Sequence, residues 1–289
     1  MRRQVQINIA LGITNTWFEY AQVTVASVLF NASSDDEYNF YIMANEFTEQ
    51  DKVNFRFLEK IHPAKFNFIT MDDSYFDGAI HDWLGVSSSY RLRLASLVEE
   101  SKILYLDADA IAMEDVAKLY KTDVSEYYLA AVEDKMGKYM KTRIKLSEDE
   151  TFYNGGVQLI NLDKFREDGL EDIIFKELRN SLFYTDQDVI NLVCRKKILS
   201  FKTVPFIILY KNLLYYNSGD YKRITNTESY DIAKKEEHIN KIEEYLSSGK
   251  DMQIYLDFYR VQRDRYHTLR IGGTALWMIG RHGSGKSHM

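Results

Sequence analysis

The sequence predicts an α/β fold: an open, mostly parallel sheet with helices on both faces, followed by a helical C-terminal appendage. Three observations carry this. Apolar, β-branched runs alternate with stretches of helical periodicity over the first ~110 residues. Within KILYL the run ILYL is continuously apolar, as suits a strand covered on both faces. The chain has 289 residues, 45% hydrophobic and 28% charged, an ordinary globular balance with enough length for one large domain and an appendage.

Taken in order, QVQINIALGI reads as a first strand closed by the turn residues TNT. WFEYAQVTVASVLFNAS then spaces its apolar residues as a helix. YNFYIMAN is a second strand, TEQDKVNFRFLEKIH a second helix and KFNFITMDD a third strand. SSSYRLRLASLVEES is expected to be one serine-capped helix, and KILYLDAD the fourth strand. Further strands are expected at YYLAAVED, GGVQLINL and FKTVPFIILY, with helices at MEDVAKLY, DKFREDGLEDIIFKELRN and TDQDVINLVCR. No fixed-period repeat is present, which excludes solenoids and propellers.

Residues 1–225 are expected to form the main domain and 226–289 a helical, basic and aromatic C-terminal region with a flexible tail. From Lys250 to Met289 seven Lys/Arg stand against three Asp, in a chain of net charge −6. A helix packing its aromatic stripe on the main domain explains this end, and a peripheral contact with an anionic membrane surface is the sharper reading. The overall negative charge argues against a nucleic-acid partner. The single Cys194 excludes an internal disulfide framework and fits a reducing, cytoplasmic setting, at most peripheral on the inner face of a membrane. No secretory signal and no run of about 18 apolar residues is visible. The terminal GSGKSHM lacks the strand and helix that flank a phosphate loop.

The chemistry concentrates at YLDADAIA. On an extended chain Asp107 and Asp109 point the same way, at the carboxyl end of a strand, where open α/β sheets collect ligands. Two hard oxygen donors suit Mn²⁺ or Mg²⁺, and capping of the next helix is the competing use of one of them. Arg91 offers a forked donor suited to a diphosphate or sugar hydroxyls, with a surface ion pair as the plainer alternative. Asn154 precedes Gly155 and Gly156, where backbone can approach a ligand closely or simply turn. Asp186, Gln187 and Asp188 open a helix, where carboxylates are favoured by capping and by the helix dipole.

These residues resemble a known family. YLDADAIA is similar to the D-x-D segment of the family 8 glycosyltransferases, retaining sugar-nucleotide enzymes of GT-A fold that include bacterial lipopolysaccharide galactosyltransferases. SSSYRLRL, FYNGGVQLINL and YTDQDVIN resemble three further family segments in the same order, within about residues 5 to 195. The resemblance implies a metal-dependent hexosyltransferase moving galactose or glucose from a UDP-sugar to a glycan, lipopolysaccharide or glycoprotein acceptor. It assigns Ile13, Thr14, Trp17, Arg91, Ala108, Asn154 and Lys241 to the nucleotide sugar, and Asp186 and Gln187 to catalysis. Glu133 and Asp134 fall to the acceptor, and Asp107, Asp109 and His238 to the metal, with His267 as an alternative third ligand.

Two departures stand out. Thr14, Asn15, Thr16 and Trp17 occupy a turn where the family usually has an acidic residue and a uracil-binding Tyr; Trp17 would stack in its place or face the core. The late H-x-x-G-x-x-K-P-W-like segment is missing, since the only prolines are Pro63 and Pro205. Together they motivate the other reading, a catalytically degenerate binding subunit of a glycosylation complex. A glycoside hydrolase is disfavoured, because acids two apart on one strand cannot flank a sugar. A Rossmann dehydrogenase is disfavoured by the missing G-x-G-x-x-G.

Overall fold

The computed structural model describes residues 5–14, 17–33, 36–80, 86–108, 110–112, 115–134, 138–181, 184–201 and 207–209. Nine strands are described: β1 (Gln6–Gly12), β2 (Glu37–Ala44), β3 (Ala64–Thr70), β4 (Lys102–Leu106), β5 (Ala110–Ala112), β6 (Leu129–Glu133), β7 (Tyr153–Asn161), β8 (Ile198–Ser200) and β9 (Ile207–Leu209). The eight described α-helices are α1 (Phe18–Phe30), α2 (Glu49–Phe57), α3 (Leu94–Leu97), α4 (Ala117–Tyr120), α5 (Lys138–Arg143), α6 (Leu162–Glu167), α7 (Leu170–Asn180) and α8 (Asp186–Val193).

Seven strands form one sheet in the order β3-β2-β1-β4-β7-β6-β8. β7 runs antiparallel to both its neighbours, and the other pairings are parallel. Reversing β7 brings its first residues, Tyr153 to Gly156, to the edge where β1, β2 and β4 end. The sheet is covered on both sides. Ile7, Ile9, Leu11, Leu104 and Leu106 pack with α1, while Ala10, Ile103 and Tyr105 pack with the layer of α3, α6, α7 and α8. This period-two partition follows from side chains alternating across each strand.

On the second face a ladder of amides crosses the parallel strands. Asn67 Nδ2 donates to Asn39 Oδ1 at 2.6 Å, Asn39 Nδ2 to Asn8 Oδ1 at 3.2 Å, and Asn8 Nδ2 to Tyr120 Oη at 2.9 Å. Asn8 and Asn39 are directly paired in the register, and both are buried.

The expected α/β architecture is present, with local differences. SSSYRLRLASLVEES is a 3-10 helix over Ser87–Arg93 followed by the single turn α3, and no serine side chain caps it. The tighter winding buries Ser89, Tyr90, Arg91 and Leu92 in succession, which a 3.6-residue amphipathic helix does not do. The helix expected over 163–180 divides into α6 and α7 at Gly169, which has φ 59°. FKTVPFIILY contributes β9 not to the main sheet but to a two-stranded ribbon with β5, and β8 was not expected. Among the described residues no helix is long and apolar enough to cross a membrane. The C-terminal region 226–289 lies outside them.

Candidate active site

The carboxyl edge of β1 and β4 meets the start of β7 and the first turn of α8. Gly12 allows the first approach: a Cβ there would lie 2.3 Å from the Ser87 carbonyl oxygen, so the 3-10 helix can close over the end of β1 only because residue 12 is glycine. That closure carries Arg91 inward.

Arg91 is the centre of the cluster. Its Nη1 donates to the Gly155 carbonyl at 2.6 Å and lies 3.6 Å from Asp107 Oδ1. Its Nη2 donates to Asp186 Oδ2, and its guanidinium carbon sits 4.9 Å from the centre of the Tyr105 ring. Burial opposes its charge, but Asp186, Tyr105 and Asp107 outweigh that and raise its pKa above the ordinary value. Burial likewise pushes the Tyr105 phenol well up, helped by the neighbouring Asp107. The forked donor expected for a diphosphate or sugar hydroxyls here makes these contacts within the protein. Two of the terminal contacts of Arg91 are spent inside the protein, because the buried carboxylate of Asp186 and the open space above Gly155 capture it.

β7 approaches this cluster as backbone. Gly155 leaves the volume the guanidinium fills: a Cβ there would meet Arg91 Nη2 at 2.5 Å and Cζ at 2.9 Å. The Gly155 amide donates to Gln187 Oε1 at 3.3 Å, and Asn154 Oδ1 accepts from the Gly156 amide at 2.7 Å. Gln187 Nε2 donates to Asp134 Oδ2 at 3.2 Å. A backbone N–H on one side and a carboxylate on the other fix which way the Gln187 amide points. Asp134 thus joins the site at the end of β6, whereas Glu133 beside it is exposed.

Asp107 is held by its own backbone. Its amide donates to the Gly156 carbonyl at 2.9 Å, and its carbonyl accepts from Ala110 at 3.0 Å. The chain turns here as it leaves β4. Helix α1 grips that turn: Thr24 Oγ1 donates to the Ala108 carbonyl at 2.7 Å, Ser27 Oγ accepts from the Ala112 amide at 2.9 Å, and Asn31 Nδ2 donates to the Ala112 carbonyl at 3.1 Å. At the start of α4 the Ala117 amide donates to Asp115 Oδ1 at 2.8 Å.

Asp107 offers a carboxylate that is 24% exposed at the site's mouth, a donor type suited to a hard divalent cation. Its expected partners Asp109 and His238 lie outside the described residues, as do Lys241 and His267. Among the described residues no three acidic, His or Cys side chains come together as a metal group. Ile13 is buried and donates its amide to the Met43 carbonyl at 2.9 Å. Trp17 is half-buried against the α1 core and lies 4.7 Å from the Tyr20 ring, following a turn in which its amide donates to the Thr14 carbonyl.

A family model described as Glycosyl transferase family 8 matches residues 8–240. The chain belongs to glycosyl transferase family 8. A putative glycosyltransferase of Haemophilus influenzae is 28% identical over 206 residues, covering 66% of this chain and 60% of its own length. This family 8 chain therefore spans less than two-thirds of that relative. A lipopolysaccharide 1,2-glucosyltransferase of Escherichia coli is 24% identical over 242 residues, 77% of this chain and 69% of the relative. The galactosyltransferase LgtC, solved with donor and acceptor sugar analogs, superposes with a TM-score of 0.59 at 22% identity, over 67% of this chain and 73% of LgtC. That likeness carries the fold, which is of the GT-A type.

Several parts of this family 8 site were not anticipated. Thr185 caps α8 and Asp188 returns the bond, a reciprocal box legible in the spacing T-x-x-D. Tyr105, Thr24 and Arg143 had no motif to mark them. Thr24→Val keeps the shape but removes the donor to Ala108, and urea unfolding is expected to register a loss of about 1–3 kcal/mol.

Proposed function

We propose that the chain is a retaining hexosyltransferase that moves galactose or glucose from a UDP-sugar to a glycan or lipopolysaccharide acceptor, with Mn²⁺ or Mg²⁺ as cofactor. One observation carries the reading: Asp107, Asn154 to Gly156, Asp186 and Gln187 assemble on one edge of the sheet, with Arg91 locking them together. Family membership and the lipopolysaccharide hexosyltransferases among the relatives support it.

In this reading the Asp107 turn receives the ion, which when bound offsets negative charge on the departing diphosphate. Asp186 would accept hydrogen bonds from donor-sugar hydroxyls. Gln187, oriented by the Gly155 amide and Asp134, presents its carbonyl dipole to positive charge developing at the anomeric carbon. An amide is a poor nucleophile, so the acceptor oxygen attacks from the leaving-group face. The carbon–phosphate-oxygen bond breaks as the new glycosidic bond forms, and the departing phosphate takes the acceptor's proton. Trp17 and Thr14 would frame the base, and Asp134 and Glu133 the acceptor side.

UDP release from UDP-galactose and UDP-glucose, measured with Mn²⁺ and with EDTA, tests the reading. Release is expected only with the metal, accompanied by a metal-dependent thermal shift with the donor. Equal turnover in EDTA would overturn the metal role. Donor binding with no hydrolysis or transfer across an acceptor panel would instead establish a binding subunit.

A further inference from the structure

The connection from β6 to β7 rises from the edge that bears the candidate site. Its helix α5 ends in Arg143, whose Nη2 donates to Asp188 Oδ2 across 45 residues of sequence. Asp188 is fully buried, and that same oxygen accepts from the Thr185 amide and hydroxyl, each at 2.8 Å. Its other oxygen, Oδ1, is buried without a partner, as is Arg143 Nε. Behind the ion pair, Ile144, Leu146 and Phe152 form a small core with Met140, Tyr184 and Leu192, so the connection also packs against the residues flanking and within α8.

The position of this pair matters because of what lies next to it. Thr185 to Asp188 is the first turn of α8, and the two residues inside the box are Asp186 and Gln187. A buried carboxylate stripped of its cation is strongly unfavourable, and the cap built on it would be released. We propose that Arg143 is a positioning residue for the glycosyl transfer: acting through Asp188, it fixes the first turn of α8 and so holds Asp186 and Gln187 in register with the donor sugar. The proposal rests on the hexosyltransferase reading. Arg143 itself touches no reacting atom.

The test uses the full chain and three variants. Arg143→Ala is expected to lower kcat for transfer roughly ten- to hundredfold, as misplacement of a catalytic group does, while KM for the UDP-hexose changes little. Arg143→Lys, which keeps a cation near Asp188, recovers part of that loss. Arg195→Ala removes the exposed neighbouring pair with Glu150, bonded at 2.8 Å, and is expected to leave kcat unchanged. Hydrogen exchange, read independently of activity, is expected to show faster exchange at the Val189 amide of α8 in Arg143→Ala, with the Asp107 amide unaffected. Wild-type kcat in Arg143→Ala would overturn the proposal. So would equal losses in the Ala and Lys variants accompanied by weakened donor binding, because that marks general destabilisation. A wild type that turns over no donor sinks the hexosyltransferase reading instead; the link is then judged by exchange alone, and unchanged protection in Arg143→Ala overturns it.

Discussion

Arg91→Ala is expected to cost about 3–5 kcal/mol in urea unfolding and to abolish UDP release, because it removes the only described cation bonded to the buried Asp186. The guanidinium is enclosed by Asp186, the Gly155 carbonyl and the Tyr105 ring, so its loss leaves a charge and a hydrogen-bond acceptor unpaired together. Arg91→Met separates the causes: it restores much of the volume but not the charge. Comparable losses in both variants identify the charge as the main contribution. A loss below about 1 kcal/mol in either would contradict the account of a buried pair.

Gly155→Ala is expected to be nearly as damaging, although it adds a single methyl group. That methyl would lie 2.5 Å from Arg91 Nη2. Ordinarily a long side chain swings away from such a clash, but here Asp186 and Gly155 itself hold the fork in place. Overpacking of this kind costs about 1–3 kcal/mol, and the displaced guanidinium would no longer brace Asp186. Unfolding and UDP release measured on the same sample should fall together. Stability lost with turnover intact would show that the exact seat of Arg91 is irrelevant to the reaction.

The sequence made the sheet legible because β1, β2, β4 and β7 are rich in apolar and β-branched residues and lie between stretches of helical or turn pattern. It also marked the segments of the site: Asp107 follows such a run, and Asp186 and Gln187 open a helix with a recognisable spacing. What it could not show was how those segments meet. Arg91 reads equally well as an outward donor or an inward brace, and the space above Gly155 that decides between them exists only after β7 reverses and docks beside β4. The turn at Asp107 was obscured for a related reason, since the grip of Thr24, Ser27 and Asn31 on residues 108–112 joins positions more than 80 residues apart. Arg143 sits in a charged stretch whose composition suggests only a solvated surface. Its partner is hidden within a helix cap.

The amide ladder of Asn8, Asn39 and Asn67 lies well away from the chemistry, yet it bears on how reliably the chain reaches this form. Parallel strands close late and at high entropic cost, and apolar runs alone discriminate weakly between neighbouring alignments. Here a slip of one residue would turn the ladder's amides toward the side where Phe40 and Ile42 pack, stranding each without a partner. The ladder therefore favours this register chiefly by what its loss would cost, since a stranded buried amide is penalised more than a bonded one is rewarded.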